Sequence, residues 1–426
     1  MTAIRFGLFA VLVFSVMLFG AVEIWSTAVV EIAAAVLLIA WASIILRKPE
    51  LKIAWNPLIW PLLALIALGV LQLLFRSTVY PYFTRLELLR YCAYAIIFFL
   101  AAQAFRTREE LTQVAWFLIL FGFAVSLFGI AQHFTSNGKI YWFRQLPLGG
   151  DLFGPYVNRN DFAGFVELTA PIGFAMLVFR GVRRELFPLA ALLTIVPVSA
   201  LVLSGSRGGI VAFVFQMGVL TLLVRSRRAG EAPKMIGVGI VAVAALALIA
   251  WIGAGRAIRR FENLPSTDIS MQRRLSMTRG ALGIFRDHPL MGSGFGTLVV
   301  AYPRHETLYD GRVVEHVHND YMELLAEGGL AGGLCGLAFL ILLYWQAHNG
   351  FVSQQGHFSR ALHAGAIVAL AGLLLHSFVD FNLHIPANAL LFLLNAQLAT
   401  CPPLPSQSLP RKIQRPPWHD DTPVAA

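Results

Sequence analysis

Residues 316–334 read HVHNDYMELLAEGGLAGGL, and the change of character within this stretch decides how the chain is built. The first half puts His316, His318, Asn319 and Asp320 within five residues, and Glu323 and Glu327 follow at helical spacing. The second half turns apolar and rich in glycine, at Gly328, Gly329, Gly332 and Gly333, and runs on into a continuous hydrophobic segment. A spanning helix needs about 20 mostly apolar residues, so a polar cluster that empties into such a segment reads as the mouth of a membrane span.

The same alternation recurs along the whole chain. Of its 426 residues 57% are hydrophobic and 13% are charged, against about 45–50% apolar and 25% charged in soluble domains. With a mean hydropathy of +0.69, the composition excludes a soluble enzyme and predicts an all-α polytopic membrane protein. Apolar windows predict about twelve transmembrane helices, near 6–22, 27–46, 57–75, 88–105, 111–131, 162–180, 187–203, 210–224, 235–252, 329–346, 362–381 and 387–400. One transmembrane domain, 1–401, accounts for nearly everything, with a long loop at 253–328 between spans nine and ten. The proline-rich segment 402–426, with Arg411, Lys412 and Arg415, reads as a disordered tail.

A net charge of +10 would point to nucleic acid in a soluble protein, but here the cations flank spans. Arg47, Lys48 and Lys52, Arg106 and Arg108, Arg180, Arg183 and Arg184, and Arg225, Arg227, Arg228 and Lys234 make every second connection basic. The positive-inside rule then puts both termini in the cytoplasm and the two long connections, 132–161 and 253–328, outside. No nucleic acid partner is implied. Arg5 and the apolar run after it resemble a secretory signal, but a second span follows at once, so an uncleaved first helix is expected. Cys92, Cys335 and Cys401 are scattered in apolar runs and form neither a disulfide framework nor a zinc spacing.

Within the second loop, SMQRRLSMTRGALGIF predicts a short amphipathic helix at the membrane interface, with Met271, Leu275, Leu282 and Phe285 on one side and Arg273, Arg274 and Arg279 free for water or a polar cavity. The helix stops at His288-Pro289, and the turn GSGFG follows. Glu31, Gln72, Arg76, Arg90, Glu167, Arg207, His376 and Asp380 all fall toward the outer ends of their spans, which predicts an outward-opening polar chamber.

His318-Asn319, nine residues, Gly329, two residues and Gly332 match the HN, nine residues, GxxG pattern of the O-antigen ligase family. With GSRGG at 205–209 and RDHPLMGSGFG at 286–296, the chain resembles the O-antigen ligase and polymerase superfamily of bacterial inner-membrane glycan transferases. The resemblance implies inverting, metal-independent transfer of a glycan from an undecaprenyl-diphosphate carrier to an acceptor hydroxyl at the periplasmic face, with no cofactor. The acceptor would be a lipid A-core type glycan in a ligase or a second repeat unit in a polymerase.

The residues suit that chemistry. A lipid diphosphate leaves with negative charge, which fixed guanidinium groups stabilise, so Arg207 and Arg274 are candidate catalytic residues and Arg273 a candidate for binding. Arg207 can instead snorkel to headgroups, and Arg273 and Arg274 can form a solvated face on anionic lipid. The family often has tryptophan three residues after its loop arginine; Met277 here leaves the register between the two arginines open. His318 is the candidate base for the acceptor hydroxyl. Asn319 and Glu323, with Glu327, either orient His318 and bind sugar or build the helix start. His376 and Asp380 share a helical face as a candidate relay pair, and Asn160, with Asn158 and Arg159, is placed to close the chamber. The HxHND string mimics a metal cluster, but no further His or Cys set matches it, so no metal site is assigned. The other function class open to the sequence is a secondary transporter of an organic anion, against which stands the long outer loop.

Overall fold

The computed structural model of the chain describes residues 1–145, 152–225, 265–309 and 311–403. The described residues are helical, with two isolated β-bridges and no strand. In order they form α1 (Thr2–Met17), α2 (Ile24–Arg47), α3 (Ile59–Leu74), α4 (Pro81–Ala104), α5 (Arg108–Thr135), α6 (Arg159–Val178), α7 (Phe187–Ser204) and α8 (Arg207–Arg225). There follow α9 (Pro265–Asp287), α10 (Leu298–Ala301), α11 (Asp320–Ser353), α12 (His357–His376) and α13 (Pro386–Thr400). Eight of the described helices are long and apolar enough to cross a membrane, and α1 and α3 are shorter apolar helices. The predicted window 235–252 and the tail from 404 lie outside the described residues; each of the other windows falls on a helix.

Burial sorts the helices. α6 is enclosed along its whole apolar length and packs against α12, α7, α5, α8 and α13, whereas α2 buries only a thin stripe. On α11 the large apolar side chains Leu330, Leu334, Leu337, Ile341 and Trp345 are exposed at helical spacing. Lipid is as apolar as leucine, so an outward stripe of this kind needs no protein partner. Close contact between helices is made instead at small residues: a Cβ on Gly365 of α12 would meet the backbone of Ile172 in α6.

Helix direction alternates, so the connections separate into two ends. At one end lie the basic connections with Arg47, Lys48, Lys52, Arg106, Arg108, Arg180, Arg183 and Arg184, the first two of them joined by Arg106 Nη1 donating to the Lys52 carbonyl at 2.7 Å. Arg5 pairs with Glu110 at this end, where Thr107 and Glu110 form a capping box for α5. At the other end lie the starts of α6, α8, α11 and α13 and the last turn of α12. All the candidate site residues gather there.

α11 begins at Asp320, nine residues before the predicted window. Asp320, Glu323 and Glu327 made those turns look like loop, yet all three are buried in protein. Gly329 then breaks the helical path at φ 61°, ψ −159°, a region open essentially to glycine alone. The groups freed by the break are taken up by the 289–294 segment. Ser293 N donates to Ala326 O at 2.9 Å, Gly294 N to Glu327 O at 3.0 Å, Leu330 N to Pro289 O at 2.8 Å and Ala331 N to Leu290 O at 3.1 Å. Gly292, at φ 73°, sits so close that a Cβ would collide with the Glu327 backbone. Gln72 of α3 seals the joint, donating to the carbonyls of Met291 (2.6 Å) and Glu327 (2.8 Å) and accepting from Phe295 N at 3.1 Å. The Glu327 carboxylate accepts from Gly296 N and Leu298 N at 2.9 and 2.8 Å.

α9 corrects the predicted amphipathic face. The helix exists, but its buried apolar side chains are Met277, Ala281 and Ile284, while Leu275 is 48% exposed; the side chain of Met271 lies outside the described residues. The reason is a local core of Leu298, Ala301, Tyr302, Val314, Val317 and Ala326, into which the small Gly280 and Ala281 let Tyr302 pack. α9 is thus held by the loop and by α11, and its arginines are aimed by that packing.

Candidate active site

Each polar residue of the site is delivered by the end of an element. GSRGG does so at the junction of α7 and α8: Gly205 ends α7 at φ 67°, and Ser206 Oγ accepts from Gly209 N at 3.2 Å to cap α8. Arg207 is therefore the first residue of α8, not the end of the preceding span. Ser206 Oγ also donates to Asn160 Oδ1 at 2.9 Å, which fixes the α8 start to the first turn of α6. Gly208 lies flat against the His376 ring, where any Cβ would overlap the imidazole.

His318 sits one residue before the cap of α11 at φ 51°, a left-handed conformation that side chains rarely adopt. Asn319 caps the helix, accepting from Met322 N at 3.0 Å, and its amide donates to Phe378 O at 3.0 Å. His318 Nδ1 lies 3.0 Å from Asp380 Oδ1, and its ring meets the edge of Phe381. An ionised carboxylate accepts only, so Nδ1 carries the proton and the Nε2 lone pair is left to take another. Asp380 is 1% exposed, and Oδ1 also accepts from Phe381 N at 3.0 Å. Burial pushes its carboxyl up, but the His318 hydrogen bond and the charges of His318, His376 and Arg274 outweigh it, to about 2.

The predicted relay pair is rearranged. α12 ends at His376, so Asp380 lies in the turn beyond it, and His376 Nε2 is 3.9 Å from Asp380 Oδ2. His376 Nδ1 bonds instead to Glu167 Oε1 of α6 at 2.8 Å, both wholly buried. Arg274 Nη2 approaches the same Asp380 oxygen, also at 3.9 Å. That geometry belongs to Arg274, while Arg273 is one position further round α9 and half-buried.

Glu323 does not touch His318. Its Oε1 lies 2.6 Å from His316 Nδ1 and its Oε2 accepts from Val317 N at 3.0 Å, so it braces the loop that presents His318. His316, to which sequence reading assigned no role, joins a second group with Glu323, His384 and Asp320. Burial pushes His384 down, but Glu323 and Asp320 overcome this and raise it to about 10. Beside this group, between α3, α4, α11 and α13, lies a cavity of about 390 Å³. Its walls are Leu62, Leu65, Leu337 and Phe392, and Asp320, Glu327 and His384 stand at its polar side.

Sequence reading named His318, Arg274, His376 and Asp380, which the structure brings together, and Arg207 and Asn160, which border them through Gly208 and Ser206. It missed Glu167 as the partner of His376 and Phe381 as the ring between the two histidine groups. A buried acid in a span was the only signal for Glu167.

Residues 189–337 match the family model described as O-antigen ligase. This region is similar to the O-antigen ligase family. The matched span contains Arg207, Arg274 and His318 and stops before Asp380. The teichuronic acid biosynthesis protein TuaE of Bacillus subtilis (strain 168) is 25% identical over 234 residues, covering 52% of this chain and 46% of TuaE. The chain thus spans about half the length of that relative. The apolar helices and the matched residues fit a multi-pass membrane protein similar to this family.

Proposed function

We propose that this protein transfers a glycan from an undecaprenyl-diphosphate carrier to an acceptor hydroxyl, with His318 as base. The observation that carries the reading is the contact of His318 with the buried Asp380, which leaves Nε2 free to accept, beside Arg274. The acceptor oxygen forms a bond to the anomeric carbon and its proton passes to His318 Nε2. The bond from that carbon to the phosphate oxygen breaks, and the electron pair leaves with the lipid diphosphate. A single displacement inverts the anomeric centre. Arg274 and Arg207 meet the charge growing on the phosphate oxygens, a task for fixed guanidinium groups that needs no metal at the reacting atoms. Asn160, Asn319 and His376 hold these elements in register, and Arg273 serves the lipid headgroup side.

The apolar cavity suits a prenyl chain better than a sugar. Basic connections at the opposite end support a cytoplasmic position for that end and a periplasmic one for the site, in the inner membrane. Ligation and polymerisation use the same donor geometry and differ in the acceptor, which product mass distinguishes. The test is transfer from a lipid-linked glycan in proteoliposomes. His318→Ala is expected to lose about 10²–10⁴-fold in rate, and wild-type activity at equal protein level would overturn the assignment.

A further inference from the structure

The group around His316 shares no titratable residue with the proposed base site, and its atoms converge on one point. We infer that His316, Glu323 and His384 form a binding site for one divalent transition-metal ion of the zinc class. A donor atom from each lies within 4.8 Å of the other two. Glu323 Oε1 is the hub, 2.6 Å from His316 Nδ1 and 3.3 Å from His384 Nε2. Zinc bonds of about 2.0–2.1 Å in a tetrahedron hold ligand atoms about 3.3 Å apart, so the Glu323–His384 spacing already has that value, the Glu323–His316 spacing opens by less than about 1 Å, and the third, within 4.8 Å, closes on the ion. Two imidazoles and one carboxylate form a ligand set that zinc uses with a fourth place for water or substrate.

The surroundings fit an ion as well as the ligands do. His384 Nδ1 is hydrogen-bonded to Asp320 Oδ1 at 2.7 Å, which turns Nε2 toward Glu323. The second Glu323 oxygen accepts from Val317 N at 3.0 Å, and His316 stacks on Phe381 with centroids 4.7 Å apart. A carboxylate behind a ligating histidine, and a backbone donor on a ligating carboxylate, are what orient metal ligands. Asp320 and Glu323 are both buried, so the site demands positive charge. The three ligands come from the loop before α11, the first turn of α11 and the connection between α12 and α13. An ion there ties these segments together two residues upstream of His318 without touching any group assigned to transfer, so it positions and does not react.

The test uses the full chain in detergent, stripped of metal and titrated with zinc against a chromophoric chelator. One zinc per chain is expected, with a rise in melting temperature. Asp320→Asn, which keeps all three ligands, is expected to weaken binding about 10–100-fold, and His384→Ala to abolish both binding and the thermal shift. A wild-type chain that takes up no zinc and shows no thermal shift would overturn the inference and leave a proton-shared ion pair. Retention of wild-type affinity by His384→Ala would overturn it too.

Discussion

Asparagine in place of Asp380 isolates the contribution of one buried charge. The side chain keeps its shape, still accepts from Phe381 N, and still presents an oxygen 3.0 Å from His318 Nδ1. What it loses is the countercharge. Holding Asp380 at about 2 instead of 3.8 is worth about 2 kcal/mol in favour of the charged form. A hydrogen bond to a charged partner contributes about 1.5–3 kcal/mol, in agreement. When the acceptor proton reaches Nε2, His318 becomes an imidazolium facing that carboxylate, so the loss falls on the transition state. A cost of about 2–3 kcal/mol is roughly 30–200-fold in rate. It is expected in kcat with little change in KM for the lipid-linked donor. The assay is initial-rate transfer of a labelled lipid-linked glycan in proteoliposomes, with folding checked by thermal unfolding. A rate within about threefold of wild type would refute the claim that Asp380 supports a proton-accepting His318.

Three further outcomes are expected. Arg274→Ala should lower transfer about 10²–10³-fold while Arg273→Ala stays within a few-fold; equal losses in the same assay would put both arginines on the substrate. Gly329→Ala places a side chain at φ 61° against the Leu290 carbonyl and should lower stability by about 1–3 kcal/mol, read by thermal unfolding in detergent. Because Asp380 is depressed, its stabilisation is complete above about 3.8 and is lost as pH falls through about 2. The melting-temperature gap between wild type and Asp380→Asn should therefore hold down to about pH 3.8 and close as pH falls through about 2.

Hydrophobic windows found the helices because lipid imposes the same length and composition on each. They failed where a protein interior replaces lipid. α4 begins at Pro81, seven residues before its window, because Glu87 and Arg90 pair at 2.8 Å inside the bundle and hide their charges from lipid. The same blindness hid the start of α11. His318 and Arg274 were legible from motif spacing, but the partner of His318 lies 62 residues away in a turn that looked like helix. The site around His316 was passed over because its third ligand, His384, sits in an unremarked FNLH segment that only the fold carries back.

The joint between Gly329 and the 289–294 segment also makes the motif a ruler. From Asn319 to Gly329 the chain climbs ten helical residues, about 15 Å at 1.5 Å each. One end of that length is pinned to the turn after α12 and the other to the loop after α9. Adding one residue inside it would turn one end by about 100° against the other, so either His318 or the glycine joint would lose its seat.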